Sequence, residues 1–140
     1  MTYATKADLI ARFSERELVQ LTDRGDEPTG AVDDARVDRA LAEADNLVNS
    51  YVGARYPLPF LAIPELLVDL ACDIARYRLY QEGATDEVRE RYEDAIKRLT
   101  AISRGDMVLD AAGVEPASRD DQVYADTGER MFSRDRMRGG

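Results

Sequence analysis

The 140-residue chain has no histidine, no tryptophan, only two lysines and a single cysteine, Cys72. Without histidine there is no Ser–His–Asp or Cys–His catalytic group and no imidazole metal site. One cysteine excludes an intramolecular disulfide and a cysteine-based zinc cluster. These absences leave carboxylates as the main candidates for chemistry.

Long hydrophobic runs are also missing. The most apolar window, residues 57–68, contains three prolines and is interrupted by Glu65, whereas a membrane-spanning helix needs about 20 apolar residues. The N-terminus lacks the basic-then-apolar pattern of a signal peptide. We therefore expect a cytosolic or particle-associated protein with no membrane partner.

Charge is abundant but uneven. The chain carries 28 acidic and 19 basic residues, a net charge of −9. Residues 1–109 contribute −7, residues 110–129 contribute −5, and residues 130–140 contribute +3. A net negative chain is poorly suited to holding phosphate backbones through its overall field. The basic section at the end is the exception.

Apolar residues at helical spacing predict an all-α body of four to five helices within residues 1–109. Thr5 can cap the first helix, and Ser14-Glu-Arg-Glu17 predicts a capping box for the second. Asp33 or Asp34 is expected to open the helix with the strongest helical signal. The body is therefore expected to be a small helical bundle.

The helix that follows Pro64 has the broadest apolar face, so we expect it to be the central and most buried one. Cys72 lies in that face, which favours a small core residue over a reactive thiol. Thr85 or Asp86 can cap the last helix, and Gly105 is a suitable glycine at its C-terminal end.

Helical periodicity vanishes after residue 109. Residues 107–109 are predicted to form one short strand, and residues 110–140 an extended C-terminal arm rather than a second domain. The tip of this arm combines four arginines with apolar side chains. Its residues are Arg130, Met131, Phe132, Arg134, Arg136, Met137 and Arg138.

Carboxylates that could hold a cation occur at Asp69 and Asp73, one turn apart on the central helix. Arg76 lies a further turn along, so an internal ion pair with Asp73 is the simpler interpretation. No glycine-rich phosphate loop or nucleotide fingerprint is present. We expect no catalytic residue, no metal and no cofactor, and therefore no enzyme.

Four stretches carry a family resemblance: residues 3–9, 40–59, 72–79 and 91–105, in this order along nearly the whole chain. The most specific part is the run from Ser50-Tyr51 into Arg55-Tyr-Pro-Leu-Pro59, followed by Asp73-Ile-Ala-Arg-Tyr77. The chain resembles the head–tail connector (adaptor) proteins of Mu-like prophages. The matching residues taken as structural are Tyr51, Arg55, Tyr56, Pro57, Pro59, Asp73, Arg76, Tyr77 and Tyr92.

The resemblance implies an all-α fold and a structural role in the virion neck, after assembly in the host cytoplasm. Such proteins form a ring, usually of twelve subunits, below the portal protein, complete the DNA-filled head and offer a platform to the next neck or tail-completion protein. Acidic surface lining the channel would let DNA pass without specific binding. The family implies no catalysis and no cofactor.

Alternative functions remain open at this point. One is a regulatory or assembly-factor module of a phage or prophage that is absent from the finished particle. Another is a DNA-contacting protein that uses the arginine-rich tip. An enzyme would return to consideration if Asp69 and Asp73 faced a pocket with a bound metal.

Overall fold

Five α-helices form the part of the protein that the computed structural model describes, residues 2–81 and 83–110, and these ranges contain no strand. The all-α prediction is confirmed. The helices are α1 (Lys6–Phe13), α2 (Glu15–Thr22), α3 (Asp34–Val52), α4 (Glu65–Tyr80) and α5 (Asp86–Arg104). Residues 111–140, which include the predicted arm and its tip, lie outside the described residues.

The predicted strand at residues 107–109 is wrong. The amides of Asp106 and Met107 donate to the carbonyl of Ala101, at 2.8 and 3.2 Å, and so extend the C-terminal cap of α5. The amide of Leu109 donates to the hydroxyl of Tyr56, at 2.8 Å. These three donors are bonded to the cap and to a side chain, so they are not available for a strand ladder.

Helix starts follow the local capping signals. Thr5 accepts a hydrogen bond from the Asp8 amide, and the Asp8 carboxylate accepts one from the Thr5 amide, which makes a complete capping box. Asp33 caps α3, and Thr85 caps α5 by accepting from the Val88 amide. Three of the predicted caps are therefore confirmed.

The predicted box at Ser14 forms only in half. The Ser14 hydroxyl accepts from the Glu17 amide at 3.2 Å. The Ser14 amide, however, already donates to the Ile10 carbonyl at the end of α1. Because Ser14 closes one helix and opens the next, its amide needs no second partner. The Glu17 carboxylate is bonded to Arg76 of α4 instead.

Helix α4 is the centre of the bundle, as its broad apolar face predicted. It contacts α1, α2, α3 and α5, and half of its sixteen residues are buried. Cys72 is fully buried in this helix, which confirms its place in the core. No helix within residues 2–81 and 83–110 is long and apolar enough to cross a membrane.

Candidate docking surface

The loop between α3 and α4, residues 53–64, is anchored by a buried arginine. Arg55 Nε donates to the Ser103 carbonyl at 3.2 Å, and Nη2 donates to the Arg104 carbonyl at 2.9 Å. These carbonyls belong to the last turn of α5, where the helix dipole favours a cation. Arg55 therefore satisfies carbonyl groups that α5 itself leaves without partners.

Gly105 lets this arrangement form, because it has a left-handed φ of +81° and lies directly against the guanidinium. A Cβ at this position would stand 2.8 Å from Arg55 Cζ. We expect Gly105→Ala to lower the free energy of unfolding by about 2–3 kcal/mol, from backbone strain plus displacement of Arg55.

Gly30 provides the matched control. Its φ is +74°, yet a Cβ there would have nothing within 4 Å. Gly30→Ala should cost about 1 kcal/mol, from backbone strain alone. Urea unfolding of both variants measures the difference, and equal losses would contradict a steric role for Arg55 at Gly105.

Tyr56 joins the same loop to residues 105–110. Its hydroxyl accepts the hydrogen bond from the Leu109 amide, and its ring packs against Phe60 at 5.8 Å between centroids. Tyr56, Phe60 and Leu109 are all buried. Arg55 and Tyr56 thus fix the chain after α5 onto the loop between α3 and α4.

The junction also carries exposed apolar side chains. Leu61 is 85% exposed, Val108 66% and Leu58 37%, and these are the large hydrophobic side chains that residues 2–81 and 83–110 leave exposed. All three lie on the two segments that Arg55 and Tyr56 hold together. We call these three residues the apolar end. Exposed large apolar side chains that lie together can form a contact surface for another protein, so the apolar end is a candidate docking surface.

The prolines of the sequence motif, Pro57 and Pro59, are exposed beside the apolar end. Tyr51 is half-buried in the last turn of α3, packed against the core. The structure therefore brings Tyr51, Arg55, Tyr56, Pro57 and Pro59 to one end of the bundle. Buried members support the surface and exposed members border it.

The second half of the motif lies elsewhere, among α2, α4 and α5. Arg76 is only 8% exposed. Its Nε donates to a Glu17 carboxylate oxygen at 2.7 Å, and its guanidinium lies over the Phe13 ring at 4.3 Å. Burial lowers the pKa of Arg76, but the bond and charge of Glu17, together with the charge of Glu87, raise it overall. This contact ties α2 and the end of α1 to the central helix.

The predicted pair between Asp73 and Arg76 is replaced by pairs between helices. Asp73 pairs with Arg91 of α5 at 3.2 Å, and Asp69 pairs with Arg12 of α1 at 2.7 Å. Burial raises the pKa of Asp73, while Arg91 opposes that shift. Each carboxylate of α4 therefore bonds a neighbouring helix, which a three-residue spacing could not reveal.

Tyr77 of α4 and Tyr92 of α5 stack with ring centroids 4.1 Å apart and an interplanar angle of 11°. The two rings therefore pack across the contact between α4 and α5. Within the described ranges no group of three or more Asp, Glu or Cys side chains converges in a way that could hold a metal ion. Asp69 and Asp73 act there as ion-pair partners.

Comparison with known proteins shows which family the chain belongs to. The family model described as "Bacteriophage Mu, Gp36" matches residues 3–126. The chain belongs to the Gp36 family of bacteriophage Mu. It is 34% identical over 131 residues to Mu-like prophage FluMu protein gp36 of Haemophilus influenzae, covering 94% of this chain and 88% of that protein. It is 31% identical over 136 residues to gene product J of Escherichia phage Mu, covering 96% of each.

Membership of the Gp36 family makes this a Mu-like phage protein, as the resemblance predicted. The family match includes both halves of the motif and the whole apolar end, and it stops at residue 126. The basic tip, residues 130–138, therefore lies beyond the family match as well as outside the described residues.

The apolar end itself was missed by sequence reasoning. Leu61 belongs to an apolar window whose residues could all be buried, and Val108 lies in the segment predicted to be a strand. The available signal was the proline spacing around Leu58 and Leu61, because three prolines in eight residues prevent a regular helix that could bury every apolar side chain.

Proposed function

We propose that this protein is a structural component of the neck of a Mu-like phage particle, a head–tail connector that assembles as a ring below the portal protein. In this role it completes the DNA-filled head and offers a platform to the next neck or tail-completion protein. The proposal is of a structural protein without catalysis or cofactor. It rests on family membership and on the apolar end.

The observation that carries the proposal is how the motif uses its polar groups. Arg55 gives its Nε and one Nη to α5 carbonyls, and the Tyr56 hydroxyl bonds the Leu109 amide. These polar groups point inward, whereas Leu61 and Val108 point outward. The hydrogen bonds of the motif hold the backbone in place, and its exposed side chains are hydrophobic. This combination supports docking of another protein.

The charge of the chain fits passage of DNA. Residues 1–109 carry a net charge of −7, and repulsion from an acidic channel wall would keep DNA from adhering. The basic tip at residues 130–138 has the opposite charge. In the proposed neck, Phe132 and Met137 anchor the tip on an acidic surface of the portal while its arginines pair around them.

Phage particles made with and without this protein test the proposal. Mass spectrometry of purified virions should detect several copies, and loss of the gene should leave DNA-filled heads that do not join tails. The wild-type gene supplied in trans should restore infective particles. Complete, tailed virions that lack the protein would contradict the connector role and favour the assembly-factor alternative.

Deletion of residues 128–140 tests the arm separately. The truncated chain should keep the helical circular dichroism of the full chain but lose binding to the portal protein in a pull-down. Because every helix of the described body lies before residue 105, a folding defect is not expected. Unchanged portal binding would rule out the arm as the anchor.

A further inference from the structure

A groove lies between the first half of α3 and the C-terminal end of α4, with a volume of about 520 Å³. Its charged lining is three arginines, Arg36, Arg39 and Arg78, and two carboxylates, Asp33 and Glu43, and its apolar lining includes Ala40 and Leu79. The last two are buried and form its floor. We call this surface the arginine groove.

The charges of the groove are incompletely paired. Arg36 lies 3.4 Å from Asp33, and Arg78 lies 3.8 Å from Glu43. Arg39 is exposed and takes part in none of the ion pairs between residues of the described ranges. The groove therefore has an excess positive charge in an otherwise acidic protein, and it can accept a further carboxylate.

The apolar end lies at the opposite end of the same two helices. From Arg39 to the end of α3 at Val52 the helix rises about 20 Å, at about 1.5 Å per residue. Val108 in the apolar end is followed two residues later by Asp110, which is exposed. An aliphatic side chain beside a carboxylate matches a groove with an apolar floor beside an arginine.

We infer that the apolar end of one copy docks in the arginine groove of the next copy, with Asp110 facing Arg39. The inference rests on the proposed ring and names the contact that builds it. Two different surfaces at opposite ends of a subunit make a head-to-tail contact, which closes into a ring or extends into a filament. The partner is a second copy, because this one chain holds both the apolar end, with Asp110 beside it, and the arginine groove that complements them.

Sedimentation velocity of the full chain over a range of concentrations tests the contact. Two variants each disable one surface: Leu61→Asp with Val108→Asp at the apolar end, and Arg39→Asp in the groove. All three side chains are exposed, so circular dichroism should be unchanged. Each variant should raise the self-association constant Kd by about tenfold or more. Arg16→Asp, at an exposed arginine of α2, is the matched control and should leave Kd unchanged.

Mixing the two variants separates head-to-tail contact from a symmetric dimer. The apolar-end variant keeps an intact groove, and the groove variant keeps an intact apolar end. The mixture should therefore form a heterodimer and nothing larger. Combining Arg39→Asp with Asp110→Arg in one chain should restore assembly, since the charges are exchanged across the contact.

Three results would overturn the inference: a wild-type chain that stays monomeric at about 1 mM, disabled variants that assemble like wild type, or a mixture that forms no heterodimer. Particle complementation keeps this failure apart from failure of the connector role. If both variants restore tailed particles in full, the contact is wrong while the connector role stands. If loss of the gene leaves particles unaffected, the connector role itself fails.

Discussion

Replacing Arg76 with alanine is expected to lower the free energy of unfolding by about 2–4 kcal/mol, because the change removes the arginine from a mostly buried ion pair. Arg76 is 8% exposed, and its bond to Glu17 is 2.7 Å long. The variant also loses the contact of the guanidinium with the Phe13 ring. Urea unfolding followed by circular dichroism measures the loss.

Two further variants show where that energy comes from. Arg78→Ala is the matched control on the same helix: its side chain is 44% exposed, and its ion pair with Glu43 spans 3.8 Å, so a loss below about 0.5 kcal/mol is expected. Replacing both Arg76 and Glu17 with methionine should recover most of the stability, since no charge is then left buried. A loss for Arg76→Ala as small as that for Arg78→Ala would contradict the role of this pair in tying α2 to α4.

Cys72 should react with iodoacetamide at pH 8 at least about a thousand times more slowly in the folded protein than in urea. Burial raises the pKa of its thiol from 9.0 to about 12. This higher pKa lowers the fraction of thiolate at pH 8 about a thousandfold, and the thiolate is the reactive form. Full burial of the side chain further limits access. Mass spectrometry of timed samples gives both rates.

The raised pKa of Cys72 also makes the stability of the protein depend on pH. Because the folded state holds the thiol proton more tightly, this contribution to stability is complete below pH 9 and is lost as the pH rises toward 12.

A control for the labelling is Ser50→Cys in a Cys72→Ala chain, since Ser50 is exposed on α3. The control thiol should react at the rate of the unfolded chain. Rapid labelling of native Cys72 would mean that the face of α4 assigned to the core is wrong.

Helix positions could be predicted because their signals are local. Thr5, Asp33 and Thr85 cap helices by bonding amides two or three residues away, and Gly105 ends α5 with a left-handed φ. Side chains at these positions meet their partners in any fold that contains the helix. The capping box predicted at Ser14 forms only in half, because Ser14 ends α1 as well as beginning α2 and its amide is already bonded to the Ile10 carbonyl.

Ion-pair partners could not be predicted in this way. A carboxylate on a helix has several arginines that could pair with it, and only the packing of the helices decides which one does. Asp73 bonds Arg91 rather than Arg76, and Arg76 bonds Glu17, which is 59 residues away. Packing of α4 against α2 and α5 brought these groups together.

The sequence by itself determined an all-α body, three of its helix caps and the burial of Cys72, because these depend on periodicity and on contacts within one helical turn. Only the tertiary structure decided that Arg55 and Tyr56 fix one end of the bundle and that Leu61 and Val108 stay exposed on the two segments held there. The bonds responsible join residues 48, 49 and 53 positions apart. Partners at that distance meet only after α3, α4 and α5 have packed, and no spacing along the chain records which of them will meet.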